Sequence, residues 1–323
     1  MNIFITGGTG FIGQHLCKRL VAEGHELTLL LRSDRKRRLV PTGVTFLPGD
    51  LTRFQDENLE LPPFDVVIHL AGVVTAKDPA DYDRINHQAV RDLVGCLERQ
   101  SWRPKRLLFA SSLAAAGPSE LGKPHLASDP LNPVDPYGEA KKQAELFLEN
   151  QTIPSTSFRP AIVLGPMDDA TLTLYKLAKR RMGFQIGRQP QQLSFVDVDD
   201  VVDALIRMMH DERAGHFQYF IAHPQVVTAP EILNTIAQAM GKKLIKFSVP
   251  KWLLKGLMHI NTFFSRIFGY WNQLDNKQYR QMTAPAFVCS SESLQTALDW
   301  NPQHDLEASV KKALKGYLEA GKL

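Results

Sequence analysis

A glycine-rich stretch near the amino terminus, Thr6-Gly7-Gly8-Thr9-Gly10-Phe11-Ile12-Gly13, is the most informative part of this chain. It joins an apolar run at 2–5 to a segment with helical spacing at 11–22, so it predicts a strand, a tight turn and a helix. Glycines at these spacings let the backbone take positive φ and approach a pyrophosphate, while the helix start offers free N–H groups. The stretch predicts dinucleotide binding; the alternative is a glycine-rich turn without a ligand.

Short apolar runs alternate with helical patterns through the first half of the chain. The candidate strands are 2–5, 26–31, 44–47, 66–70, 107–110 and 156–163, and the main candidate helices are 11–22, 80–98 and 137–149. Strands that are apolar throughout and alternate with helices predict a parallel sheet covered on both faces. We therefore expect an α/β fold, a Rossmann doubly wound parallel sheet with a smaller mixed α/β substrate-binding lobe.

The second candidate strand runs directly into Arg32. An acidic residue at this point would bond the ribose hydroxyls of NAD, whereas a guanidinium favours the 2′-phosphate of NADP. Residues 32–38 hold five basic side chains, Arg35 among them, and one acidic side chain, Asp34. The sequence predicts NADP, with NAD as the less favoured cofactor and a solvated basic loop as the alternative interpretation.

The pattern becomes less regular after residue 165. At roughly 150 residues per domain, a chain of 323 residues should hold about two domains. We expect an NADP-binding Rossmann domain over 1–165, with segments within about 192–240 returning to it. Residues 166–323 would form mainly the substrate-binding lobe.

Composition excludes several classes of protein. The chain has 38 basic and 34 acidic residues, a net charge of +4 that is too small to indicate a nucleic-acid partner. Its three cysteines, Cys17, Cys96 and Cys289, lack metal-ligand spacing, so no metal site is expected, and they fit a reducing compartment. The chain opens on a strand pattern, without a signal peptide, and has no apolar run of about 18 residues. A cytoplasmic protein with a small-molecule substrate is expected.

Two polar features predict proton-transfer chemistry. Tyr137 and Lys141 lie four residues apart at the start of a predicted helix, which places both side chains on one face. A free tyrosine has a pKa of about 10, and the nearby ammonium is expected to lower it toward neutrality. The fifth candidate strand ends in Ser111 and Ser112, at the sheet edge where ligands bind. Ordinary packing of the tyrosine and turn bonding by the serines are the alternatives.

In the order of its motifs the chain resembles the extended short-chain dehydrogenase/reductases, also called the NAD(P)-dependent epimerase/dehydratase family. The resemblance covers nearly the whole chain. Besides the glycine turn and the tyrosine helix, the matching segments are 49–51, 69–72, 85–90, 159–166, 195–200 and 298–302, where Asp299 replaces the usual glycine.

The resemblance implies roles for individual residues. Tyr137 would be the acid/base, Lys141 its partner and a ligand of the nicotinamide ribose, Ser112 the catalytic serine beside a structural Ser111, and Asn86 a further catalytic residue. The implied cofactor-binding residues are Gly7, Gly8, Thr9, Gly10, Phe11, Ile12, Gly13, Arg32, Arg35, Asp50, Leu51, Ala71, Gly72, Lys141, Arg159 and Pro160.

Two departures from the family pattern bear on the reaction. Ala116 stands where the family often has a tyrosine, and Pro160-Ala161 follows Arg159 where many nucleotide-sugar epimerases have an asparagine. With Arg32, these departures favour a branch resembling NADP-linked dihydroflavonol reductases and 3β-hydroxysteroid dehydrogenases. The expected function is interconversion of a secondary alcohol and a ketone. A nucleotide-sugar epimerase or dehydratase with a borrowed hydride, and a non-catalytic NADPH-binding protein, are the alternatives; a homodimer would be usual for the family.

Residues 250–269 predict a helix with a narrow polar stripe and a wide apolar surface. The stripe recurs every four residues at Lys251, Lys255 and His259, and the apolar side includes Phe263 and Phe264. Three interpretations remain open: burial between lobes or in a dimer, a lid over an apolar substrate, and peripheral membrane attachment.

Overall fold

A computed structural model of the chain describes residues 1–56, 59–268 and 276–323. The strands are β1 (Asn2–Thr6), β2 (Glu26–Leu31), β3 (Thr45–Pro48), β4 (Val66–His69), β5 (Arg106–Ala110), β6 (Ser155–Pro160), β7 (Ile162–Leu164), β8 (Met182–Ile186), β9 (Gln192–Leu193), β10 (Phe195–Asp197), β11 (His216–Ile221), β12 (Val227–Thr228), β13 (Ile245–Val249) and β14 (Ala286–Phe287). The helices are α1 (Phe11–Ala22), α2 (Pro79–Asp83), α3 (Ala89–Arg99), α4 (Leu113–Ala116), α5 (Pro136–Leu148), α6 (Asp169–Lys179), α7 (Val198–Met209), α8 (Ala229–Ala239), α9 (Lys251–Phe268), α10 (Asn276–Thr283), α11 (Glu292–Leu298) and α12 (Leu306–Glu319).

The main sheet has seven parallel strands in the order β3-β2-β1-β4-β5-β6-β11. From the central pair β1 and β4, consecutive strands are added toward each edge of the sheet. This order confirms the predicted Rossmann fold. The seventh strand comes from residues 216–221, so the chain returns to this sheet after the region expected to end the first domain. The boundary at residue 165 itself stays a prediction.

Each face of the main sheet is covered by helices because successive strand residues point to opposite sides. Ile3 and Ile5 join a core that includes side chains of α1 and α7, whereas Phe4 joins a core with side chains of α3 and α5. All three strand residues are fully buried. The apolar runs of the sequence therefore lie inside two helix layers.

A third core forms the smaller lobe. It includes side chains of α6, α8 and α12 and residues of the short strands β9, β10 and β14. At its centre the rings of Tyr175 and Tyr317 meet edge to face, 4.9 Å apart between centroids, and the Tyr175 hydroxyl donates to the Val310 carbonyl at 3.1 Å. Both parallel and antiparallel strand pairs occur in this part, as expected for a mixed lobe.

Two predicted elements are interrupted in the structure. The helix expected over 80–98 is broken by a π turn at Arg84–Gln88, which turns the buried Asn86 inward. The strand expected over 156–163 divides at Ala161: β6 stays in the main sheet and β7 pairs with β10. Pro160 ends β6 because proline has no N–H to continue the ladder.

The first two turns of α9 are open to solvent. Trp252 is 74% exposed and Leu257 is 54% exposed, while Met258 is buried. Burial between the lobes, one of the three interpretations of 250–269, is therefore wrong for this part of the helix. The side chains of Phe263 and Phe264 and all of Gly269 lie outside the described residues. Among the described helices, none has the length and apolar character needed to cross a bilayer.

Asp200, at the start of α7, anchors the carboxyl-terminal segment. Its carboxylate accepts from the backbone N–H groups of Gln303 and His304, both at 3.1 Å, and lies 2.9 Å from the His304 Nδ1 atom. The buried Trp300 indole donates to the Asp200 carbonyl at 3.0 Å. The residue before it, Asp299, takes the left-handed conformation at φ 50°, which favours the glycine that is usual there in the family the sequence resembles.

Replacing Asp200 by Asn should lower the free energy of unfolding by about 2 kcal/mol, because an amide cannot accept from all these donors. Urea denaturation measures the change. Asp203→Asn on the same helix breaks only a partly exposed pair with Arg207 and should cost less than about 1 kcal/mol. Equal losses from the two variants would contradict the anchoring role of Asp200.

Candidate active site

The turn between β1 and α1 forms a backbone cradle. Gly7 takes φ 74°, and its carbonyl accepts from the Gly10 N–H at 2.9 Å. A side chain on Gly13 would collide with that same carbonyl, so helix and turn are in direct contact. The start of α1 has no side-chain cap, which leaves N–H groups available to an anion. The cradle fits the pyrophosphate of a dinucleotide.

The loop after β4 closes against this cradle. A Cβ on Gly7 would lie 2.5 Å from the Ala71 nitrogen, and one on Gly72 would lie 2.6 Å from Asn86 Oδ1 and 3.2 Å from Lys141 Nζ. Five predicted site residues from distant parts of the chain are thus brought together. A larger residue at Gly7 or Gly72 would push these elements apart.

The amide of Asn86 is bonded to the backbone of Val73. Its Oδ1 accepts from the Val73 N–H and its Nδ2 donates to the Val73 carbonyl, both at 2.9 Å. Asn86 is fully buried beneath the loop. It therefore positions the loop after β4, and the catalytic role that the resemblance implied stays a prediction.

Helix α5 presents Tyr137 and Lys141 to the site. Asp135 caps the helix by accepting from the Gly138 N–H at 2.8 Å, and Pro136 is the first helical residue. This start places Tyr137 in the first turn and Lys141 one turn deeper. The buried Lys141 ammonium donates to the Ala110 carbonyl at 2.7 Å, at the end of β5.

The two serines after β5 have different surroundings. The Ser112 hydroxyl accepts from the Ala114 N–H at 3.1 Å and is hydrogen-bonded to Tyr137. The buried Ser111 hydroxyl instead donates to the Glu145 carboxylate. The structure thus brings Ser112 to the tyrosine and leaves Ser111 in the interior.

The guanidinium of Arg159 is paired with the carboxylate of Glu145. It is buried, donates to both carboxylate oxygens of Glu145 at 2.5–3.1 Å, and lies 5.2 Å from the Phe220 ring centroid. Its side chain is thus engaged by Glu145, and the expectation that Arg159 takes part in cofactor binding stays a prediction. The next residue, Pro160, does lie at the site, in the wall of the cavity beside Tyr137.

Burial controls the protonation of the catalytic pair. It raises the pKa of Tyr137 to about 12, with the Ser112 hydrogen bond acting in the opposite direction. Burial also lowers the pKa of Lys141 to about 7, opposed by the charge of Glu145. The predicted lowering of the tyrosine pKa by Lys141 is thus not what this chain shows. Near neutral pH Tyr137 is a phenol with a proton to donate.

The adenosine end of the site lies beyond β2 and β3. Arg32 and Arg35 are exposed after β2, and Asp50 and Leu51 follow β3 at the same sheet edge. Asp34 pairs with Arg37, with 3.0 Å between Oδ1 and Nε. Asp34 is the acidic residue of this loop that could instead favour NAD, and its carboxylate is thus already paired with Arg37.

A cavity of about 550 Å³ opens beside Tyr137 and Ser112. Six separate parts of the chain form its walls, and the larger share of the wall is apolar, with side chains that include Val74, Leu113, Ala161, Ile162, Met282 and Phe287. Among the described residues, the charged side chains in its lining are Lys77 and Asp135. The cavity suits an uncharged, largely apolar molecule placed against the phenol.

Three residues of the site, Glu145, Met282 and Phe287, were not predicted from the sequence. Glu145 had a signal, since Tyr137, Lys141 and Glu145 recur every four residues on one helix face. Met282 and Phe287 had none, because short segments far along the chain reach the cavity only through the packing of the smaller lobe.

Comparison with known proteins decides the family. A model of the NAD dependent epimerase/dehydratase family matches residues 3–222. The chain belongs to this family. It is therefore an NAD(P)-dependent enzyme of the extended short-chain dehydrogenase/reductase type, as the motifs predicted.

Members of the epimerase/dehydratase family similar to this chain differ in their reactions. UDP-glucose 4-epimerase of Vibrio cholerae is 26% identical over 99% of this chain and 96% of its own length. Ceramide reductase of Caulobacter vibrioides is 26% identical over 79% of this chain and 76% of its own. The structure of UDP-glucose 4-epimerase from Thermus thermophilus in complex with NAD shares the fold, with TM-score 0.78, 23% identity and coverage of 99% and 100%.

Lys141 should make stability depend on pH. Its pKa is about 7 in the folded chain against 10.5 for a free lysine, so the folded state binds fewer protons between these values and stability rises with pH. In Lys141→Met this dependence disappears. The stability advantage of the variant over wild type should shrink by about 2 kcal/mol from pH 7 to pH 9, as measured by urea denaturation of nucleotide-free protein. A constant difference would contradict the lowered pKa.

Proposed function

We propose that this enzyme is an NADP-dependent oxidoreductase that interconverts a secondary alcohol and a ketone on an apolar substrate. The apolar cavity at Tyr137 and Ser112 is the observation that carries the proposal. A nucleotide-sugar substrate carries a diphosphate, which proteins usually bind with several cationic side chains. Lys77 is the lone cationic side chain among the described lining residues, and it is exposed.

The side chains divide the proton chemistry among them. The bound nicotinamide supplies hydride to the carbonyl carbon, or accepts it in the reverse direction. In reduction, Tyr137 Oη donates its proton to the ketone oxygen and Ser112 donates a hydrogen bond to the same oxygen. Lys141, whose ammonium lies 5.9 Å from the centroid of the tyrosine ring, would bind the nicotinamide ribose.

The surroundings of the 32–38 loop support NADP. Arg32 and Arg35 are exposed at the end of β2, where the adenosine ribose would lie. Within the described part of the chain neither pairs with a carboxylate, and Asp34 is bonded to Arg37. A 2′-phosphate would therefore meet two free guanidinium groups.

A second candidate function is nucleotide-sugar epimerisation. A relative that covers 99% of this chain is a UDP-glucose 4-epimerase, and it favours this alternative. Ceramide reductase favours the reductase, because a ceramide is a lipid. Net oxidation of NADPH by an added ketone separates the two reactions, and a non-catalytic binder would show neither. The homodimer remains a prediction, to be measured by sedimentation velocity.

Tyr137→Phe should retain the fold and NADPH binding but lose at least roughly a hundredfold in turnover, because the general acid is gone. The assay is NADPH oxidation with the ketone that wild type reduces fastest in a panel of apolar ketones. Tyr82→Phe is the matched control, since that ring also lines the cavity, 6.4 Å from Tyr137 between centroids. It should lose less than about tenfold. Turnover by Tyr137→Phe at the wild-type rate would remove the tyrosine from the mechanism.

Arg32→Asp should weaken NADP binding at least tenfold, because a phosphate–arginine contact contributes about 1.5–3 kcal/mol. Calorimetric titration with NADP and NAD gives both affinities. Arg38→Asp makes the same charge change in the same loop and should have a smaller effect. If wild type prefers NAD, or if the two variants behave alike, Arg32 does not read the phosphate.

A further inference from the structure

The two-stranded sheet of the smaller lobe turns its apolar face to solvent. The parallel strands β8 and β13 pair in register, so opposed residues share a face. One face consists of Met182, Phe184, Ile186, Ile245, Phe247 and Val249. Ile245 is 61% exposed and Phe247 is 52% exposed. The buried Gly183 belongs to the other face, and β8 packs against α6 and α8.

Helix α9 follows directly after β13 and extends this surface. Its first turns add Trp252, which is 74% exposed, and Leu253 and Leu257, which are also exposed. We call the exposed apolar side chains of β8, β13 and the first turns of α9 the apolar face. An exposed patch of large apolar side chains marks a binding surface, because soluble proteins rarely leave one uncovered.

The sequence around the apolar face is strongly basic. Residues 176–190 contain five basic and no acidic residues, and residues 242–259 contain another five basic and no acidic residues. These segments carry +10, whereas the whole chain carries +4. None of the ten cations pairs with a carboxylate among the described residues. The two segments that build the apolar face and its surroundings are therefore far more basic than the chain as a whole.

We propose that the apolar face binds an anionic lipid bilayer. Apolar side chains can enter the boundary between headgroups and acyl chains, where a tryptophan such as Trp252 is favoured, while the surrounding lysines and arginines bind lipid phosphates. A second copy of the chain is a poor occupant, since a twofold contact would bring the same positive patches together. A bilayer supplies both the apolar layer and the negative charge.

The apolar face is connected to the wall of the substrate cavity. The Lys251 ammonium at the start of α9 donates to the Thr283 carbonyl at 2.9 Å, and Gln191 donates to the Gln281 carbonyl at 2.7 Å. Gln191 and Gln281 line the cavity beside Tyr137. Bilayer binding would therefore bring the cavity close to substrates dissolved in lipid. This consequence rests on the proposed reductase function, whereas bilayer binding itself does not.

The experiment is co-sedimentation of the full chain with phosphatidylcholine vesicles, with and without phosphatidylglycerol, at low and high salt. Wild type should bind the anionic vesicles and be released by salt. Lys243→Glu/Lys255→Glu should weaken binding at least roughly tenfold. Lys18→Glu/Lys105→Glu makes the same change in net charge on exposed lysines elsewhere and should bind like wild type. Because no turnover is measured, failure of the proposed function leaves this result intact.

The apolar contribution has its own variant. Phe247→Asp should lose vesicle binding while keeping the wild-type melting temperature, because the ring is half exposed. Leu318→Asp, at a similarly exposed position on α12, should bind as wild type does. Indifference of wild type to anionic vesicles, or equal losses in test and control variants, would overturn the proposal. The proposal would also be overturned if wild type bound no vesicles but formed a dimer that Phe247→Asp dissociates.

Discussion

The buried carboxylate of Glu145 connects the elements that build the catalytic site. It lies on the same helix as Tyr137 and Lys141, accepts two hydrogen bonds from Arg159 on β6, and accepts another from Ser111 at the end of β5. A charge removed from water is costly unless it is paired and hydrogen-bonded. The contacts to Arg159 and Ser111 therefore hold the helix against β5 and β6. That position sets where the tyrosine and the lysine lie.

Burial sets the protonation of the tyrosine and lysine and the polarity of the cavity beside them. Low polarity raises the pKa of Tyr137 and lowers that of Lys141, so the pair starts as a phenol beside a lysine that titrates near pH 7. The same low polarity makes the adjoining cavity suitable for an apolar ketone. A site designed for a charged diphosphate would need cations in its walls. A protonated tyrosine and an apolar cavity thus follow from one physical condition.

Basic residues are distributed unevenly along this chain, which its net charge does not show. A net +4 predicts little about partners, yet two segments that meet at the β8–β13 sheet hold +10. They are separated by about fifty residues in the sequence and come together only because the strands pair. The exposed Ile245 and Phe247 belong to the second of these segments. An interfacial surface of this kind is invisible to an average over the whole chain.

By itself the sequence determined the Rossmann fold, the glycine cradle and the Tyr137–Lys141 helix, because each is encoded by local spacing: turn glycines, apolar runs and a four-residue repeat. Tertiary structure alone decided that Arg159 pairs with Glu145, that Asn86 holds a loop, and which walls enclose the cavity. It also decided the direction of the tyrosine pKa shift. These properties depend on burial and on contacts between residues far apart in the chain, and no local pattern records what a side chain will face after the sheet has assembled.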